Sequence, residues 1–139
     1  MLCYRADSPP GLVDRQRERW DPVIDWAHQA LSTPLVLAEG VMHVAQPPES
    51  IAAFGVHVNA VIEPLELAAL HVVTSLTGSA VLAMAVFKGE LERDAAWALA
   101  HLDEDWNIEQ WGEDDEAMAR RVLRYRDMTA ASLVLAPVH

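Results

Sequence analysis

Lysine occurs once in this chain, at position 88, and cysteine once, at position 3. Lysine and arginine together number 10 against 21 aspartates and glutamates, a formal net charge of −11. Neutralising a phosphate backbone takes clustered cations, so this poverty of basic residues excludes a nucleic-acid binder. A single thiol excludes an internal disulfide and agrees with a reducing compartment. The opening residues, MLCYRADSPP, lack both the apolar core of a secretory signal and the arginine-rich pattern of a transit peptide. The expected location is the cytoplasm. Leu2, Cys3 and Tyr4 read as the end of a strand, which suggests a piece of something longer. Catalytic signatures are missing too. The chain has no HExxH, CxxC or Glu-x-x-His pair, no glycine-rich phosphate loop and no nucleophile elbow. Cys3 has no base beside it. The expectation is a protein that is not an enzyme and takes no metal or cofactor.

What the chain does have is a long uncharged run. Leu67 to Phe87, LAALHVVTSLTGSAVLAMAVF, contains no Asp, Glu, Lys or Arg, while Glu63, Glu66, Lys88, Glu90, Glu92, Arg93 and Asp94 crowd its flanks. A membrane span needs about 20 apolar residues; a helix enclosed by protein is also apolar all round. Thr74, Ser75, Thr77, Gly78 and Ser79 interrupt the run at its middle. Glycine there weakens a helix, and Ser79 or Thr77 can cap a new one. The reading is therefore two short buried helices with a break, and no stable membrane insertion. His71, inside the run, is read as a core histidine.

The rest reads as amphipathic cover. Asp7-Ser8-Pro9-Pro10 starts a helix. Val13, Trp20, Ile24, Ala27 and Leu31 form its apolar face. Pro22 predicts a kink, or a restart capped by Asp21, and Trp20 and Trp26 are core anchors. Leu35 to Val44 reads as a short hairpin or an extended connector. Gln46 to Ser50 opens a helix with the stripe Ile51, Phe54, Val58 and Val61. After the Lys88-Gly89 break, Leu91, Ala95, Leu99, Leu102 and Trp106 predict one helix through about Glu109, ended at Trp111-Gly112. The last helix begins with Asp114-Asp115-Glu116. Its stripe is Met118, Val122, Tyr125, Thr129 and Leu133, and Glu116–Arg120 is a supporting pair. The fold class is all-α: a bundle of about six or seven helices around a central helix pair, in one domain spanning 1–139.

Six histidines stand at 28, 43, 57, 71, 101 and 139. His57 reads as structural. His71, His101 and Asp103 are the residues on which a rival reading, a metal- or small-molecule-dependent helical enzyme, would rest. Asp103 to Asp114 fails as a calcium loop, because Ile108 stands where the sharp turn needs glycine. The strongest surface signal is DEDWNIEQWGEDDE, Asp103 to Glu116, which sets carboxylates around two tryptophans. Tryptophans anchor interfaces, and carboxylates steer basic partners. Equally open is one buried tryptophan under a solvated acidic rim. Trp106 continues a core stripe; Trp111, at a helix end, is the better interface candidate.

Three segments carry a resemblance: RQRERWDPVIDWA at 15–27, ELAALHVVTSLTGSAVLAMAV at 66–86 and ELERDAAWALAHLDEDWNIEQWGE at 90–113. Together they resemble the family of ATP synthase alpha-subunit assembly chaperones, in the form found in alphaproteobacteria and mitochondria. The resemblance implies a protein that holds the unassembled alpha subunit of the soluble catalytic head and keeps it from aggregating until beta takes its place. It implies a matrix location in eukaryotic relatives. It also implies a helical C-terminal domain following a β-rich N-terminal one that this chain lacks, with LCYRA as the junction. The family's acidic-aromatic motif falls on Trp111, Gly112, Glu113 and Asp114. Those positions, with Glu109, are the candidate partner-binding residues.

Overall fold

The computed structural model describes residues 1–41 and 43–135; His139 lies outside them. The chain divides into two units, Met1–Ile62 and a second beginning at Glu63. The first holds β1 (Tyr4–Arg5), α1 (Pro10–Leu31), β2 (Ala38–Glu39) and α2 (Pro48–Asn59). The second holds α3 (Pro64–Thr77), α4 (Ala80–Phe87), α5 (Arg93–Ala100), α6 (Leu102–Trp111) and α7 (Asp115–Leu135). The all-α expectation, with seven helices among the described residues, is borne out.

In the first unit α1 buries Gln16, Trp20, Val23, Ala27 and Leu31. Helical spacing puts these five on one side. Gln16 is no anomaly there, because its Oε1 accepts from the Ala6 N–H at 2.8 Å. Pro22 does not restart the helix, which runs unbroken from Pro10 to Leu31. One missing N–H removes one hydrogen bond, and Trp20 and Val23 are buried on either side of it. Asp21 is not a cap: it pairs with the buried Arg5 at 2.8 Å. Arg5 also donates to the Leu2 carbonyl at 2.7 Å and lies 5.5 Å from the Trp20 ring centre.

No hairpin forms in the described residues of 35–44. The segment gives one strand, β2, paired in parallel with β1 (Tyr4 opposite Ala38, Arg5 opposite Glu39). Gln46 takes the part of a second hairpin arm. Its side-chain amide accepts from the Val36 N–H at 2.8 Å and donates to the Val36 carbonyl at 2.9 Å. The expected stripe of α2 holds except at its first residue. Ile51 is exposed, Phe54 and Val58 are half-buried, and Val61, just beyond the helix, is buried as expected; within α2 the buried residue is Ser50. Ser50 donates to the Pro34 carbonyl, and His57 Nε2 reaches the Leu31 carbonyl at 3.2 Å, the structural role expected of it.

In the second unit Glu63 caps α3, accepting from the Glu66 N–H at 2.7 Å, with Pro64 at the first helical position. Gly78, at φ +70°, ends α3. Ser79 then caps α4 by accepting from the Leu82 N–H at 3.1 Å. The uncharged run is thus two helices. Among the described residues no helix is long and apolar enough to cross a membrane. α4 is enclosed, with Leu82, Ala83, Met84, Ala85 and Val86 all buried. α3 is enclosed on one side only. Ala69, Leu70, Val73 and Thr77 are buried, but Leu65, Leu67 and Val72 are exposed, and so is His71, which is therefore not a core histidine. Lack of charge marked both helices in the same way, and only α4 is covered on every side.

The helix expected over 91–109 is two helices. His101 adopts φ −105°, ψ 13°, and α5 stops there while α6 starts. The buried face of α7 also differs from the expected stripe. Met128, Ala131, Ser132 and Leu135 are buried, whereas Val122 and Leu133 of that stripe are exposed. Arg124 donates to the Leu76 carbonyl at 2.6 Å, satisfying one of the last open acceptors of α3.

Candidate partner-binding surface

The surface is built on α6, the turn after it and the start of α7. His101 sets where α6 begins. Its Nδ1–H donates to the Trp97 carbonyl at 2.7 Å, its ring lies 4.2 Å from that of Trp97, and its carbonyl accepts from the Asp105 N–H at 2.8 Å. Burial pushes the His101 pKa below its ordinary value; Arg121 and Arg124 add to this, and the Trp97 carbonyl opposes it. The first turn of α6 carries Asp103, Glu104 and Asp105. Carboxylates there are each worth about 0.3–1 kcal/mol against the helix dipole.

A cation from α7 ties this acidic turn down. Arg121 reaches Asp105 at 2.7 Å and Glu104 at 2.9 Å. Its side chain is only 15% exposed, against 43% for each carboxylate. Burial works against the arginine's charge, but the hydrogen bond to Asp105, the ion pair with Glu104 and the negative charge of both carboxylates together outweigh it and hold the pKa above its ordinary value. Sequence reasoning missed this clamp. The signal was there: Arg121, Tyr125, Met128, Ser132 and Leu135 repeat at four and three, so Arg121 continues the inward stripe of α7.

Beyond the clamp α6 runs to Trp111, which is 87% exposed. It stands seven residues after Glu104, on the same side of the helix. Trp106 is half-buried. Gly112 turns the chain with φ +90° and ψ 173°, a conformation essentially confined to glycine. Its N–H donates to the Ile108 carbonyl at 2.8 Å. Asp114 caps α7, accepting from the Glu116 and Ala117 N–H groups at 3.0 and 3.4 Å. Glu116 pairs with Arg120 at 3.2 Å, as the spacing predicted. Glu109, Trp111, Gly112, Glu113 and Asp114 are all exposed, and the turn brings the last four together. Gly112 and Asp114 have conformational duties of their own. Trp111 and Glu113 are the two of the four whose side chains have no such duty and stand exposed.

A second cluster escaped the sequence reading. Trp97 and Tyr125 meet edge-on at 5.2 Å. Arg124 lies 5.9 Å from the Trp97 ring centre and Arg93 5.7 Å from that of Tyr125. The Tyr125 hydroxyl donates to Asp94. That bond, with help from Arg93, lowers the Asp94 pKa. Among the described residues no group of three or more His, Cys, Asp or Glu side chains could hold a metal ion. His71, His101 and Asp103 are not a cluster of that kind.

No family model matches the chain. Solved structures do. A putative chaperone from Agrobacterium tumefaciens, Atu1473, is 58% identical over 97% of this chain and 50% of its own, with a TM-score of 0.94. Atp12 from Paracoccus denitrificans is 39% identical over 96% of this chain and 57% of its own, with a TM-score of 0.92. A D202K mutant of the Paracoccus protein matches at 38% identity and the same TM-score. The chain thus spans about half the length of the structures it matches. These likenesses bear out the resemblance to the ATP synthase assembly chaperones.

Proposed function

We infer that this chain, a relative of Atp12 along nearly its whole length, serves as an assembly chaperone for ATP synthase. The partner is the unassembled alpha subunit of the catalytic head, held so that it does not aggregate before joining beta. No catalysis is involved. The observation that carries this reading is Trp111: a large aromatic, 87% exposed, on a turn with Glu113 beside it. Exposing an indole to water costs solubility, and such residues anchor interfaces when a partner covers them. The carboxylates around it favour a basic partner and discourage self-association, since copies of a chain with net charge −11 repel one another. A holding protein must cover an apolar patch and later release it. One large anchor within a charged rim suits that task better than a wide apolar interface.

The test is light scattering by purified alpha subunit diluted from denaturant, with and without this protein. The wild type is expected to suppress aggregation at near-stoichiometric amounts. Trp111→Ala and Glu113→Lys are expected to weaken suppression at least tenfold while their unfolding curves stay unchanged. Aggregation unaffected by the wild type would overturn the assignment. Equal suppression by all three proteins would move the site elsewhere.

A further inference from the structure

Helix α6 carries the exposed indole at its end, yet the fold covers it thinly. Of its ten residues only Leu102, the first, is buried, whereas α4 buries five of eight. Trp106 and Ile108 are half-buried, and Glu109, Gln110 and Trp111 are exposed. Packing therefore grips the start of α6 and leaves the end with Trp111 in solvent. The chain joins that end to α7 through three residues, Gly112 to Asp114. Glycine has the widest backbone freedom of any residue. The Asp114 cap fixes the start of α7, not the direction of α6.

The two helices are tied again on the far side of this turn. Arg121 of α7 reaches Asp105 at 2.7 Å and Glu104 at 2.9 Å on α6. Asp105 stands six residues before Trp111, and Arg121 six residues after Asp115. Each leg is thus about 9 Å long. The turn at one end and the ion pairs at the other close a helical hairpin with equal legs. A guanidinium is a planar fork, so two carboxylates on it fix direction as well as distance.

We propose that Arg121 is a positioning residue for the partner surface: by closing the α6–α7 hairpin opposite the Gly112 turn, it sets where Trp111 and Glu113 stand before a partner arrives. This rests on the reading above, in which that turn binds the alpha subunit, and adds what makes the turn ready. A surface already held in its bound form loses less freedom on association than one that must first order. With the clamp open the indole keeps its chemistry but samples many directions. Binding then weakens although no contact residue has changed. Arg121 acts through Trp111 and not by touching the partner.

The test is a double-substitution cycle on the whole chain, read as the dissociation constant for isolated alpha subunit where circular dichroism shows every variant folded. Arg121→Met should weaken binding at least fivefold, and Arg121→Lys, which keeps the charge, should recover part of the loss. In the Trp111→Ala background Arg121→Met should weaken binding less than twofold, because no indole is left to position. A structural role alone would leave the constant of a folded variant unchanged. A distance measurement without partner separates this inference from the reading it rests on. Spin labels at Glu113→Cys and Lys88→Cys, with Cys3→Ser, should give one narrow distance distribution that Arg121→Met broadens. An unchanged distribution would overturn the inference whatever the wild type binds. So would an Arg121→Met constant equal to that of the wild type, or an equal loss with and without the indole. A broadened distribution beside a wild type that does not bind alpha subunit would overturn the reading of the turn, and with it the role given to Arg121.

Discussion

Replacing Arg121 with Met tests how the acidic turn is held. The substitution keeps most of the apolar stem and deletes the guanidinium. Glu104 and Asp105, adjacent on the first turn of α6, then lose their shared cation. Removing one member of a fully buried ion pair costs about 3–5 kcal/mol. An exposed pair is worth about 0.2–1 kcal/mol. Here the arginine is 15% exposed and each carboxylate 43%, so water screens the acidic side and the expected cost lies between those limits, about 2 kcal/mol. In urea, with a slope of about 2 kcal/mol per molar, the midpoint should fall by about 1 M. Asp105→Asn supplies the cycle: its cost should be smaller in the Arg121→Met background than in the wild type, with a coupling of about 0.5–3 kcal/mol. A loss below about 0.5 kcal/mol, or identical Asp105→Asn costs in both backgrounds, would refute the clamp.

Other expectations follow from single groups. His101 has its pKa depressed by burial, so the unfolded chain takes up the proton first as pH falls. The stability it contributes is full above its ordinary 6.5 and is lost as pH drops through the folded value. Urea unfolding from about pH 7.5 to 5.5 should therefore show falling stability, and His101→Gln should flatten part of that slope; an unchanged slope would contradict the assignment. Gly112→Ala meets open space but forces φ +90° on an L-residue, and should cost about 1–3 kcal/mol by chemical denaturation. Ser79→Ala removes the cap of α4 and should cost about 1 kcal/mol, with Ser79→Asp recovering most of it.

The breaks between helices were the most legible part of the sequence. Gly78-Ser79, Glu63-Pro64, Lys88-Gly89 and Gly112 each carry local chemistry that acts within a few residues, and the chain divides at all four. Which side of a helix is buried was harder to read. The buried face of α7 is turned from its expected stripe, and the α2 stripe fails at Ile51, because periodicity records apolar character and not what covers it. Leu133 and Leu135 look alike in sequence, yet one is exposed and the other buried. The break at His101 was hidden because the apolar pattern continues through it, while the cause is a histidine bonded back to the Trp97 carbonyl. Parallel pairing of β1 with β2 was beyond reach, since it joins residues more than thirty positions apart through two short strands. At the candidate surface, composition pointed to the acidic turn and to Trp111. It could not separate Glu104 and Asp105, which share the Arg121 guanidinium, from Glu113, which is exposed.

The most direct test of the chaperone assignment is the dissociation constant of this protein for isolated alpha subunit, measured beside that of Trp111→Ala. The account predicts measurable binding by the wild type, weakened at least tenfold when the indole is removed, with beta subunit displacing the protein from the complex. No binding by the wild type, or a constant the substitution leaves unchanged, would contradict it.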